Sequence, residues 1–277
     1  PPGTDPVEVR RNVVYREVEG EQLTLDLFLP SPAAPGQAIR GAAAPAVLLV
    51  HGGPVPPQAH SRVKDMGVFQ SYGELLAASG LVGVAFNHFH RGWHDFEGSA
   101  ENIAAAVAWT RDHAADLRLD PERLALWFFS GGGVQLAPAL REPRPWLRCL
   151  VAFYPLLDLR ALGDRLGRLP AEAIESFSPA ACLGSGRTGG AGDPAAVPPL
   201  LVARAGRDAA WLNDPLDGFV RAALAAGIEL ELLNHAQGQH GFDVLDDLPR
   251  SREIIARALE FVRWHTRPSG PPLRSEG

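Results

Sequence analysis

The serine with the best-prepared surroundings is Ser130, in the stretch Arg123–Gly133 (RLALWFFSGGG). An apolar run of strand character ends at this serine, three glycines follow, and Val134 to Ala137 then resume an apolar pattern. A strand that turns directly into a helix at a serine pushes the hydroxyl out at the sheet edge. The glycines let the backbone turn sharply and let the helix pack close, and a helix N-terminus aims free N–H groups at whatever the serine attacks. A serine hydroxyl is a weak nucleophile until a base takes its proton during attack. Histidine suits that task because its pKa lies near neutrality, and a carboxylate behind it fixes the tautomer and stabilises the imidazolium. The oxyanion of a tetrahedral intermediate needs preorganised N–H donors.

Candidates for each part follow apolar runs elsewhere in the chain. His51-Gly52-Gly53-Pro54 follows Ala46–Val50, Gly206-Arg207-Asp208 follows Pro199–Ala205, and His235 to Asp243 follows Ile228–Leu233. The order is Ser, Asp, His. The Gly131 N–H could supply one oxyanion donor and Gly52 or Gly53 the other. For the acid, Asp208 competes with Asp158, at another strand end, and with Asp214. Asp214 precedes Pro215 and an apolar helical pattern, so it reads as a helix N-cap. For the base, His240 competes with His235. His235 lies directly at a strand end, whereas His240 stands between Gly238 and Gly241 with reach toward the serine. His51 reads as a brace for its loop, and Asp243 as a backbone partner within its own. His88, His90, His94 and Asp95 form a separate cluster. Imidazoles are common zinc ligands, but this spacing matches a metal site poorly and suits the lining of a substrate cleft better.

These groups need a scaffold that gathers strand ends. Val13–Glu19 and Gln22–Leu29 alternate apolar and polar residues around Glu-Gly and predict an antiparallel hairpin. The continuous apolar run at 46–50 predicts a strand covered on both faces, and further strands are predicted at 81–86, 123–129, 148–153, 199–205 and 228–233. Helical patterns fall at 68–78 (closed by Gly80), from an N-cap at Ser99 to about 115, after Ser130 (shortened or kinked by Pro138), at 214–226 and at 251–265. Alternating strands and helices predict an α/β fold: a mostly parallel sheet with helices on both faces, whose ligands bind beyond the carboxyl ends of the strands. Residues 156–197, with the glycine-rich 184–192, predict a small lid or mobile loop insertion. Residues 1–8 and 31–44 read as loose lead-in and loop, and the tail from 268 as disordered. The whole of 1–277 is expected to be one domain with its core at about 11–266.

Over about residues 11 to 266 the chain resembles the α/β-hydrolase superfamily. The His51–Pro54 turn and Gly238–Asp243 (GQHGFD) resemble its dienelactone hydrolase and prolyl oligopeptidase-like branch, which includes small carboxylesterases. The resemblance implies Ser130 as nucleophile, Asp208 as acid and His240 as base, with Gly131 and Gly52 or Gly53 in the oxyanion hole. It implies ester hydrolysis through an acyl-enzyme, with no cofactor and no metal. The alternatives are a peptidase on the same scaffold, a zinc-dependent hydrolase built on His88, His90 and His94, and a catalytically inactive binding member of the fold. One departure from the usual Gly-x-Ser-x-Gly elbow is Phe128 in the first glycine position, which predicts a wider turn.

Bulk properties narrow the partners. The 277 residues are 46% hydrophobic and 21% charged, an ordinary globular balance. A net charge of −6 with no basic block argues against nucleic acid and anionic membrane surfaces. No apolar run approaches the roughly 18 residues of a membrane span, and no signal-peptide pattern opens the chain. The first residue is not Met, which leaves room for a removed leader. Cys149 and Cys182 do not make a disulfide framework, and a cytoplasmic location is expected. The expected partner is a small ester, with a homodimer left open. Lys64 is the only lysine among 26 basic residues, a skew read as coding bias.

Overall fold

The structure, a computed structural model, describes residues 7–31, 43–92, 94–142, 144–166, 169–184 and 197–268. Most of the loop expected at 31–44, Trp93, the glycine-rich 185–192 and the tail from 269 lie outside the described residues.

Strands β1 (Glu8–Val18) and β2 (Glu21–Leu29) form the expected hairpin. Then follow β3 (Ala44–Val50), α1 (Gly67–Ala78), β4 (Val82–Phe86), α2 (Phe96–Asp112), the short α3 (Ala114–Leu117) and β5 (Leu119–Phe129). After them come α4 (Leu136–Arg141), β6 (Leu147–Phe153), α5 (Ala171–Ser176), α6 (Pro179–Gly184), β7 (Leu200–Ala205), α7 (Ala210–Ala225), β8 (Leu230–His235), α8 (Phe242–Leu245) and α9 (Pro249–His265). The eight strands among the described residues make one sheet in the order β1-β2-β4-β3-β5-β6-β7-β8. Pairs involving β1 and β2 are antiparallel, and every other pair is parallel.

The continuous apolar runs are explained by burial on both faces. Along β5, Leu124, Leu126 and Phe128 enter the core face that α2, α4 and α7 cover, while Ala125, Trp127 and Phe129 enter the face covered by α1 and α9. The two-residue period of a strand splits each run between the two cores in the same way along β3, β6 and β7. A third apolar cluster joins Leu156, Leu159, Leu162 and Phe177 to Phe96, Val134 and Leu212. The described part of the segment expected as a lid is therefore packed onto the start of α2 and α7. Among the described residues no helix is long and apolar enough to cross a membrane.

Two helix starts differ from expectation. The N-cap of α2 is Asp95, whose carboxylate accepts from the Gly98 amide at 3.0 Å. Ser99 lies inside the helix, buried, with its hydroxyl turned to His88. Asp214 is not a cap either, because α7 begins four residues earlier at Ala210. Asn213 binds the carbonyls of Ala205 and Asp208 from within that first turn, and burial of Leu216, Phe219 and Val220 carries the helix through Pro215. Proline within a helix removes an N–H donor, a cost that apolar burial can exceed.

Candidate active site

The carboxyl ends of β3, β5, β6, β7 and β8 lie along one sheet edge, because neighbouring parallel strands pair almost to their last residues: Val50 with Phe128, Phe129 with Phe153, and Ala205 with His235. Ser130 follows β5 directly and takes φ +53°. This left-handed conformation is costly for a residue with a Cβ. The chain then runs through a tight 3-10 turn, Ser130–Gln135, and α-helix begins only at Leu136. The helix expected directly after the serine is thus preceded by a narrower coil. Phe128 needs no room in the turn, since its side chain is fully buried in the sheet core.

The glycines here serve close approach rather than flexibility. A Cβ on Gly52 would lie 2.5 Å from the Phe129 carbonyl oxygen and 2.6 Å from the Gly131 nitrogen. A Cβ on Gly131 would lie 2.8 Å from the Gly53 carbonyl oxygen. The turns after β3 and β5 therefore touch backbone to backbone, which sets Gly52, Gly53 and Gly131 beside the serine.

Ser130, His240 and Asp208 meet. The Ser130 hydroxyl lies 2.7 Å from His240 Nε2, and His240 Nδ1 lies 2.8 Å from Asp208 Oδ2. A carboxylate can only accept, so Nδ1 carries the proton and Nε2 presents its lone pair to the serine hydroxyl. The imidazole is partly open to solvent, at 39% of its side-chain surface, while the Asp208 side chain is at 8%. The loops carrying acid and base are tied together by the Arg207 amide, which donates to the Gly238 carbonyl. The rivals are occupied elsewhere. Asp158 is held in a two-pronged pair with Arg160. His235 is buried, with its Nε2 beside the Ser251 hydroxyl and Gly238 against its ring.

His51 and His88 brace the turn after β3. Their rings stack at 3.9 Å, and His88 places Nε2 on the His51 carbonyl and Nδ1 on the Ser99 hydroxyl. Burial, helped by His60, lowers the His51 pKa to about 3 against the pull of its Gly52 contact. Burial and then His51 take His88 well below its ordinary value. Both are neutral when folded, whereas the unfolded chain protonates them near pH 6.5. Stability is therefore complete above that pH and falls as pH drops from it toward the folded values. Urea unfolding at pH 7.5 and 5.5 should show a loss of about 2–3 kcal/mol for the pair, reduced in His88→Gln; an unchanged unfolding free energy would contradict this account.

The histidine cluster after β4 does not converge. His90 lies between the carboxylates of Glu19 and Glu21, His88 is engaged as above, and Asp95 caps α2. Among the described residues no three His, Cys, Asp or Glu side chains gather as a metal ion requires. His90 and His94 instead line a cavity of about 930 Å³ with His60, Phe89, Pro54 and Val55, beginning at the corner after Gly53.

Sequence reasoning missed the partners of Asp243. Its carboxylate accepts from the hydroxyls of Tyr154 at 2.7 Å and Tyr72 at 2.8 Å, rather than serving mainly its own loop backbone. The separations of 89 and 171 residues leave no local signal for either contact.

Comparison with known proteins bears on the fold. Residues 25–139 match the BD-FAE family model. No curated protein matches the chain by sequence. Among solved structures, the native esterase Est2 of the Planctomycetes species Thermogutta terrifontis is 21% identical with a TM-score of 0.70, covering 95% of this chain and 93% of that one. Its propionate-bound form gives the same identity and TM-score over 97% of each chain. The form of that esterase phosphoramylated by tabun is 21% identical with a TM-score of 0.68, over 94% of this chain and 95% of that one. Taken with the strand order and the helices on both faces, these likenesses show that the chain has the α/β-hydrolase fold.

Proposed function

We propose that the protein is a serine carboxylesterase, with Ser130 as nucleophile, His240 as base and Asp208 as acid. The observation that carries this reading is the continuous contact from the Ser130 hydroxyl through both His240 nitrogens to Asp208. As Ser130 attacks the ester carbonyl, its proton passes to His240 Nε2. The developing oxyanion takes the amides of Gly131 and of Gly52 or Gly53. Collapse expels the alcohol, which receives the proton from His240, and leaves the acyl group on Ser130. Water, deprotonated by the same histidine, then releases the acid and restores the serine. The cavity beginning at Pro54 takes the part of the ester beyond the reacting carbonyl. That the structurally similar Thermogutta terrifontis esterase is phosphoramylated by tabun and was solved with propionate bound supports the chemistry.

Within the fold we place the chain in the dienelactone hydrolase and prolyl oligopeptidase-like branch, on the His51–Pro54 and Gly238–Asp243 turns. We read it as one domain, with the helical segment from 156 onward as a cap beside the site. Two unpaired, buried cysteines support the cytoplasmic reading. A fluorophosphonate probe tests the nucleophile. The expected result is one covalent adduct, on the peptide containing Ser130, accompanied by loss of ester hydrolysis. Labelling elsewhere, or full activity after labelling at Ser130, would overturn the assignment. Rapid turnover of an anilide with the same acyl group would move the reading to a peptidase.

A further inference from the structure

We propose that Asp243 and Tyr154 are positioning residues for His240, holding its loop against the serine and supplying a second negative charge behind the imidazole. The inference rests on the role given to His240 above.

Four observations carry it. Asp243 follows His240 by three residues, in the turn that opens α8, so restraining its carboxylate restrains the histidine backbone. Its two oxygens are each held by a tyrosine from a different part of the fold, Tyr72 of α1 and Tyr154 after β6. Tyr154 also packs its ring on the imidazole, with centroids 4.7 Å apart. Finally, Tyr154 is fixed before it makes any of these contacts. Its backbone takes φ +38°, and its amide donates to the Ala203 carbonyl at 2.7 Å. The tyrosine thus joins the strand-end platform to the histidine loop.

The hydroxyls are suited to remain donors. Burial first, and then the Asp243 charge, push both tyrosines well above the ordinary phenol value. Burial raises the Asp243 carboxyl above the usual aspartate value, while the hydroxyls of Tyr154 and Tyr72 and the nearby His240 act the other way. Among the described residues, the contacts place these ionisable groups around the imidazole: Asp208 on its Nδ1, Asp243, Tyr154 and, behind Asp243, Tyr72. When His240 takes the serine proton, both carboxylates favour the imidazolium, but only Asp208 touches it.

Two substitutions separate charge from tether. Asparagine at 243 can accept from one tyrosine and donate to the other, so Asp243→Asn removes the charge and keeps both contacts. It should lower kcat for a short p-nitrophenyl ester about tenfold and move the acid limb of kcat/KM, which reports the free histidine, to lower pH by roughly half a unit. Tyr154→Phe keeps the ring on His240 and removes the tether; kcat should fall about ten- to a hundredfold with KM within about twofold. A purely structural role would leave the acid limb and KM-to-kcat balance where they are. Wild-type kcat and an unmoved acid limb in folded Asp243→Asn and Tyr154→Phe would overturn the proposal. If Asp243→Asn does not fold, wild-type kcat in Tyr154→Phe is enough to overturn it. Ser130→Ala run alongside distinguishes the two readings: if it retains activity, the nucleophile assignment itself fails.

Discussion

Replacing Ser130 by alanine is expected to lower kcat for a p-nitrophenyl ester by roughly 10⁴-fold or more, leaving a residue of catalysis from the oxyanion donors and binding. The magnitude follows from the contact chain. Without the hydroxyl, His240 Nε2 has no nucleophile at 2.7 Å, and the remaining route is direct attack by water. Stability separates this loss from unfolding. Ser130 is held at φ +53°, with its carbonyl accepting from the Leu156 amide at 2.9 Å. Alanine keeps that strain, so its melting temperature should stay near wild type. Glycine relieves it, and Ser130→Gly should be equally inactive yet more stable by about 1 kcal/mol. Steady-state rates and thermal melts on the three proteins check both claims. Wild-type turnover in Ser130→Ala would end the esterase mechanism, whereas a melting temperature lowered in Ser130→Gly would end the strain account alone.

What was legible in the sequence was whatever local pattern and strand ends encode. Runs such as Ala46–Val50 announced buried strands because both of their faces are covered. A sheet whose parallel strands end together brings Ser130, Asp208 and His240 to one edge once those strands are placed. Competition between two local signals was harder to read. Asp95 and Ser99 both cap well, and Asp95 prevails because Ser99 is engaged by His88 from the neighbouring loop. Asp214-Pro215 imitates a helix start, but Asn213 satisfies backbone carbonyls further upstream and the apolar face of α7 starts the helix sooner. Contacts that depend on three-dimensional neighbours carried no sequence signal at all. The tyrosines on Asp243 are one case, and Lys64 is another: nothing local to its position announces that it is buried.

Lys64→Met should cost about 3–5 kcal/mol of stability, the usual consequence of leaving one member of a buried ion pair behind. The Lys64 side chain is 1% exposed, and its ammonium donates to Asn12 Oδ1 at 2.8 Å, Asp26 Oδ1 at 2.8 Å and Asp65 Oδ1 at 2.6 Å. All three donors of the group are thereby used. Asp26 also accepts from the Asn12 amide, from Gln70 and from Arg11, so the cluster joins β1 and β2 to the 3-10 segment Pro57–Asp65 that carries His60 to the cavity. Burial raises the Asp26 carboxyl, but the bonds from Lys64, the Asn12 amide and Gln70 outweigh it and leave the pKa below the ordinary aspartate value. The stabilisation linked to that shift is present above the unfolded pKa near 4 and is lost as pH falls through the folded value. In Lys64→Met that acid-side loss should shrink, because the main partner of the carboxylate is gone. Adding Asp26→Asn should cost less than the sum of the two single changes, since either one alone already removes the Lys64–Asp26 ion pair. Urea unfolding of the two single variants and the double variant measures this coupling. A cost below about 1 kcal/mol for Lys64→Met would mean that water reaches Asp26 in its place, and the cluster would then be a solvated clasp rather than a buried tie.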